Sequence, residues 1–393
     1  MLRSLIDYTR CFAHVVGSAE GRRLLAAHRR PLPKAQVSGP VDLVRAMQGA
    51  ADWLCHAQDS NGDGGMGSYH LVTGWGRTYP ETTGYIIPTM FALADRLERP
   101  ELAQRAVQAA EVLLKLQRAD GGWQGGRVGE ERSSVVFNTA QVIRGMLAVH
   151  QRTKDDRYLR AARRAGDWIV SVLEADGTWG RSNFMGVARV YDSYVDAPLL
   201  QLFGVTGEDL YKQTAVRNLE WVITKQQPNG WFADADNTIR HNDRPIIHTI
   251  AYTIDGLADC AYLLNDVGLM DHAHRAAEPL RDIFLRDDRL NGRYDRNWQG
   301  SEALITTGCA QLCIAWEKLA QHTEAHAYRT AAVRMRMLLV ELQLRSSEGP
   351  VHGRGAVTGS FPFWGRYEKF AYPNWATKYL ADALLWAGGK APH

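Results

Sequence analysis

Apolar residues recur at helical spacing along the chain, in two alternating kinds of segment. In the first kind they form a single stripe. Across residues 101–115, Leu102, Ala106, Ala109, Ala110, Leu113 and Leu114 share one side, while Glu101, Arg105, Gln108, Glu111 and Lys115 line the other. Such helices have one wet face. They are predicted to begin near Asp42, Glu101, Asp156, Glu208, Asp271 and Glu324, where the helix macrodipole favours negative charge. In the second kind, ETTGYIIPTMFALAD, VFNTAQVIRGMLAVH, SYVDAPLLQLFGV, HTIAYTIDGLADCAYLL, LITTGCAQLCIAWEKLA and YPNWATKYLADALLWA carry few charges and little polar face. A helix that is apolar nearly all round is buried nearly all round.

Six wet-backed helices alternating with six enclosed ones predict an all-α fold, an (α/α)6 barrel in which an outer ring surrounds an inner one. The unit recurs every roughly 55–70 residues, longer than the ~20–50 of stacked solenoids. Sustained period-2 alternation is missing, so no sheet is expected; the long last loop, 346–372, is the one place for a short hairpin. Residues 1–38 read as an N-terminal arm that could touch a partner or a membrane surface, and 39–393 as one barrel domain.

The ends of the outer helices repeat as well. AEVLLKLQRADGGW ends at Trp123 and AVRNLEWVITKQQPNGW ends at Trp231, with weaker copies in AADWLCHAQDSNGDGG, AGDWIVSVLEADGTW and LRDDRLNGRY. These resemble the QW repeat of the terpenoid cyclase and prenyltransferase superfamily, which implies an α/α toroid. In that repeat a Gln closes the outer helix and a Gly-Trp follows in the loop. Physically the motif is structural: the amide ties neighbouring helices together and Trp123, Trp179 and Trp231 pack beside it. The catalytic motifs of the superfamily do not carry over. Asp234-Ala235-Asp236-Asn237-Thr238 lacks the final Asp of the cyclase DxDD acid and falls in mid-loop, and Asp243, His248 and Cys309 lack the spacing of the prenyltransferase zinc site.

In such a barrel the loops leaving the outer helices lead to the starts of the inner ones, which converge on one mouth, and here those loops are the long ones. They bring Tyr79 and Glu81; Arg127, Arg132 and Asn138; Arg189, Tyr191, Asp192 and Asp196; His241, Asp243, Arg244 and His248; Tyr294, Asp295, Trp298 and Glu302; and His352, Arg354, Arg366, Tyr367, Glu368 and Asn374. Carboxylates, Arg, His, Tyr and Trp together suit a sugar better than a polyene: aromatic faces stack on pyranoses and Arg forks hold a uronate. Glu81, Asp192, Asp196, His248, Tyr191 and Glu302 are the expected acid/base residues. Tyr79, Arg127, Asn138, Arg189, Asp243, Arg244, Tyr294, Trp298, Arg366, Tyr367 and Asn374 are expected to bind substrate. Glycoside hydrolases, polysaccharide lyases, sugar 2-epimerases and glucuronyl C5-epimerases resemble this architecture. The expectation is a carbohydrate-active hydrolase, lyase or epimerase acting on an acidic glycan. An isoprenoid cyclase and a noncatalytic glycan-binding toroid are the alternatives.

The rest of the composition narrows the classes. Forty-six basic against 43 acidic side chains leave a net charge of +3, too balanced for a nucleic-acid footprint. Five cysteines without CxxC spacing predict neither a disulfide framework nor a zinc ribbon, and no cofactor or metal is expected. Arg3, Asp7 and Arg10 interrupt the apolar run a signal peptide needs, which predicts a cytoplasmic protein without stable membrane insertion. Asp59-Ser60-Asn61-Gly62-Asp63-Gly64 copies half of an EF-hand loop, but His70 stands where the twelfth-position Glu belongs, so a plain turn is favoured over calcium.

Overall fold

A computed structural model describes residues 2–32, 42–322 and 326–388. After two helices of the arm, α1 (Leu2–Gly17) and α2 (Ala19–Arg29), twelve helices follow. The outer ones are α3 (Leu43–Asp59), α5 (Pro100–Leu116), α7 (Asp156–Ser171), α9 (Asp209–Ile223), α11 (Val267–Asp287) and α13 (His326–Ser346). The inner ones are α4 (Pro80–Leu97), α6 (Val136–Thr153), α8 (Ser193–Thr206), α10 (Ile247–Leu264), α12 (Thr306–His322) and α14 (Asn374–Leu385). Each inner helix packs on the next, and α14 returns to α4, so the inner ring closes. The first outer helix, α3, backs the last inner one, α14. The fold is the (α/α)6 barrel that the alternation of wet and enclosed helices predicts.

Local chemistry sets the two kinds of connection. Inner helices α4, α6, α8 and α10 end in a left-handed residue (Glu98, Lys154, Gly207, Asn265), and the next outer helix is capped one residue later. Asp155 and Asp266 accept from the backbone N–H groups of Arg157 and Leu269 at those caps. The start of α11 is therefore set by Asp266 rather than Asp271, and Glu324 lies outside the described residues. Between α4 and α6 the backbones meet at Gly84 and Gly145, where a Cβ would stand 2.6 Å from Val142 Cα and 2.4 Å from Gly84 O. That contact draws the two helix starts together.

The repeated Gln is a bridge between outer helices. Gln58, Gln117 and Gln226 donate to the carbonyls of Arg105, Ala161 and His272 on the next outer helix, each at 2.8–2.9 Å. Gln343 closes the circle on Ala46 at 3.0 Å. Trp123 and Trp179 are fully buried and donate to Leu113 O and Ile169 O at the ends of their own outer helices. Trp231 ties to Tyr294 O instead, at 3.3 Å. All three are structural, as expected of the motif.

The long last loop holds no hairpin of its own. Its strands pair with other units: β6 (Ser360–Phe361) with β5 (Leu304–Ile305), and β7 (Ala371–Tyr372) with β1 (Tyr69–His70), which also pairs with β2 (Gly74–Trp75). A further pair, β3 (Arg293–Tyr294) and β4 (Gly300–Ser301), stiffens the loop before α12. The described part of the arm lies on this same last loop. Tyr8 Oη donates to Trp364 O, Phe12 packs edge-on against Phe370, and Arg345 grips the carbonyls of Arg30 and Pro31. Among the described residues no helix is long and apolar enough to cross a membrane.

Candidate active site

All six inner helices contribute side chains from their first two turns to the mouth. Tyr79 caps α4, Pro80 opens it, and Glu81 follows in its first turn. Tyr79 Oη donates to the Glu81 carboxylate and accepts from Asn138 Nδ2 at 3.4 Å. The Tyr79 ring lies edge-on to Trp375 at 6.3 Å, and Trp375 Nε1 donates to Tyr367 Oη at 2.9 Å. Tyr367 in turn lies 5.5 Å from the His248 ring, whose Nδ1 bonds Gln311 Oε1 at 2.7 Å. On the remaining side Phe137 meets Tyr191 at 5.3 Å.

One turn deeper, phenols fill the barrel. Tyr252 packs on Tyr194 at 4.6 Å and on Phe137 at 5.1 Å, and Tyr379 Oη donates to Tyr194 Oη at 3.2 Å, from α14 to α8. Below them lies an ionic layer. Lys318 bonds Asp255 and Asp259 at 2.6 Å each, and Lys378 bonds Asp382 at 2.7 Å. The mouth is thus a basin with a phenolic floor over paired charges. The aromatic share of the lining is larger than the sequence reading expected: Tyr85, Phe137, Tyr194, Tyr252, Trp375 and Tyr379 were not among the expected site residues. A readable signal existed, since Tyr85, Tyr252 and Tyr379 stand four residues after Glu81, His248 and Trp375, on the same helix face.

Electrostatically, Glu81 is the centre of the basin. Burial pushes its carboxyl up to about 7, against the opposing hydrogen bond from Tyr79. Its negative charge disfavours ionisation of Tyr79, Tyr85, Tyr191, Tyr252 and Tyr367 alike, which places it within reach of five phenols. Burial takes His248 down to about 4, so the imidazole is neutral at pH 7. With Gln311 accepting from Nδ1–H, its lone pair is on Nε2. Glu368, half-buried beside Tyr367, is raised by burial and held back by the charge of Arg127.

The structure therefore gathers Tyr79, Glu81, Asn138, Tyr191, His248 and Tyr367, with Arg127 near Tyr79 and Glu368. Others among the expected site residues hold the loops. Tyr294 is buried with its hydroxyl accepting from Asn291 N, and Trp298 Nε1 donates to Asn229 O. Arg189 is buried with Nη2 on Ile239 O and Arg240 O. Arg244 pairs with Asp295, and Asp243 is exposed. Glu302 is held by Arg293 and Arg366 in a cluster at the rim, which engages both oxygens. Asn374 is buried, donating to Met66 O. Arg132 is exposed and paired with Glu130. In the Asp59–Asp63 loop, Asp59 pairs with Arg105, and Asp63 accepts from Gly65 N and Thr78 Oγ1. Asp236, in the DxDD-like segment, accepts from Thr238, Ile239, Asn242, Ile246 and Arg293.

Asp192 and Asp196 are fully buried, and Asn183 donates to Asp192 at 2.6 Å. Neither oxygen of Asp196 has a partner among the described residues. Tyr191 and Tyr194 take the basin side of this chain start; Asp196 approaches Cys260 of α10 in the wall, where burial and then the charge of Asp192 push its carboxyl well above the usual range. Well below the ordinary Asp value of about 4 the carboxyl is protonated folded or unfolded. As pH rises further the unfolded chain ionises and the folded one resists, so wild-type stability falls. Asp196→Asn is expected to remove this part of the fall; thermal unfolding at pH 5 and pH 8 measures it.

The fold and basin define an α/α toroid with its polar and aromatic side chains gathered at one mouth. Residues 78–238 match the family model of the squalene-hopene cyclase C-terminal domain. Lanosterol synthase from Aspergillus fumigatus is 24% identical over 172 residues, covering 41% of this chain and 22% of the synthase. The chain thus spans about a fifth of the length of the curated relative it matches. Among solved structures, an unsaturated glucuronyl hydrolase from Bacillus sp. GL1 superposes with a TM-score of 0.69 at 14% identity, over 88% of this chain and 96% of that one. A polysaccharide lyase does so at 0.64 and 12%, over 88% and 97%. At such identities the superpositions establish the shared fold.

Proposed function

We propose that the protein is a carbohydrate-active enzyme that moves a proton on a uronate residue of an acidic glycan, as a lyase or C5-epimerase does. The observation that carries this is Glu81, a carboxyl poised near neutrality and ringed by phenols, with Asn138 behind Tyr79 and a neutral His248 beside it. In this reading Arg127 neutralises the uronate carboxylate, and ionised Glu81 removes the proton from C5. Tyr367 accepts from Trp375 and keeps its own proton to donate. In elimination that proton goes to the departing glycosidic oxygen as the C4–O bond breaks; in epimerisation it returns to C5 from the other face. The glucuronyl hydrolase and lyase folds support a glycan substrate by analogy.

Hydrolysis is the second reading, because Glu368, next to Tyr367 in the last loop, is another carboxyl raised by burial. The cyclase reading is weakened by Asp236, whose carboxylate is occupied by loop donors, though the aromatic basin and the family match speak for it. A panel of uronate polysaccharides and polyprenyl substrates in deuterated buffer separates the three. Unsaturated uronate ends or deuterium at C5 are expected. New saturated reducing ends without either would make it a hydrolase, and turnover of the isoprenoid alone would sink the glycan reading.

A further inference from the structure

We propose that a second sugar subsite lies between the N-terminal arm and the last loop, and that it takes a carboxylate-bearing residue of the same polymer whose reacting residue sits over Glu81. This rests on the glycan reading of the basin. The place is a pocket of about 330 Å³, within the size of sugar-sized ligand sites. It is built from three separate parts of the chain: His14 and Arg23 from the arm, Tyr69 from β1, and Arg354 from the last loop. Among the described residues, neither the Arg354 guanidinium nor the His14 imidazole has a hydrogen-bond or ion-pair partner. Arg23 is turned toward the one carboxylate present, Glu20, at 3.5 Å with both side chains about half exposed. The two guanidiniums, Arg23 and Arg354, thus outnumber the single acid, which favours an anionic ligand.

Tyr69 gives the pocket a sugar's second requirement, an aromatic surface. Its ring is braced by His352 at 4.9 Å and Tyr372 at 6.2 Å, so the platform is fixed before any ligand arrives. The same segment forms the partition with the basin. Ser68 Oγ accepts from Asn374 N at 3.0 Å, so the residue that follows on one side, Tyr69, lines the pocket, and the one that follows on the other, Trp375, lines the basin. From Tyr372 to Trp375 the chain can reach at most about 10 Å. An oligosaccharide of a few residues is long enough to cross a partition of that size. The arm, read from sequence as a contact for a partner or membrane, thereby becomes part of the enzyme's own polymer track.

The test uses the full chain. Arg354→Glu is expected to raise KM for a long polyuronate at least tenfold while kcat and KM for the shortest substrate turned over stay unchanged. An unchanged KM for the polymer overturns the subsite. Its failure and that of the basin reading are separated by a second measurement in the wild type, the ring resonances of His14 during titration with an oligouronate. If no uronan is turned over but the His14 signals move, and stay still in Arg354→Glu, the subsite stands and the reading of the basin falls. If they do not move in the wild type, the subsite is refuted whatever the turnover.

Discussion

Glu81→Gln is expected to lower kcat by about 10²–10⁴-fold, the usual worth of a positioned acid or base, while the protein becomes more stable at neutral pH. The two effects share one cause. Below about pH 4 Glu81 is protonated whether the chain is folded or not. Between there and its folded value of about 7 the unfolded chain ionises and the folded one does not, so the wild type loses stability as pH rises through that window. The shift from 4.5 to about 7 corresponds to about 3 kcal/mol above pH 7. Gln, neutral at every pH, is free of that loss. Activity by product assay and thermal unfolding at pH 5 and pH 8 check both halves, and an inactive variant that is also less stable at pH 8 would mean that Glu81 is structural.

The second large effect falls outside the basin. Asp236→Ala is expected to destabilise the protein by about 3–5 kcal/mol, as loss of one partner from a buried ion pair does. Asp236 is fully buried, and six donors converge on it, from Thr238 N and Oγ1, Ile239 N, Asn242 Nδ2, Ile246 N and Arg293 Nη1. Burial works against its ionisation, but these donors hold the carboxyl below the usual range, so its contribution is lost as pH falls through that lowered value. Ile246 caps α10, two residues before His248, so the loosened loop is expected to lower activity as well. Urea unfolding with parallel assays measures this; full stability with abolished turnover would instead mark Asp236 as a catalytic acid of the cyclase type.

The barrel was legible because burial leaves its mark on every turn of a helix. The stripe on residues 101–115 and the charge-poor run from Glu81 to Ala94 say which ring each helix joins before any contact is known. Contacts between distant units leave no such mark. The pairing of Tyr69 with Tyr372, and of Leu304 with Phe361, involves two-residue strands too short to show alternation. In the basin, Glu81, Asn138 and His248 were readable from their place at inner-helix starts, and Tyr367 from the long loop that leads to one. The direction of each side chain was not: Tyr191 and Asp192 are adjacent, yet Tyr191 joins the ring around Glu81 while Asp192 bonds Asn183 in the wall. Loop ties such as Arg189 and Tyr294 have the same composition as ligand-binding residues, and only their backbone partners distinguish them.

The ionisation of Glu81 itself is the most direct test of the whole account. With glutamate labelled at its carboxyl carbon, and Glu81→Gln to assign the signal, an NMR titration is predicted to show a single carboxyl with its midpoint near 7. A midpoint in the ordinary range of about 4 would place Glu81 in water rather than among phenols, and the proposed proton transfer would lose its agent.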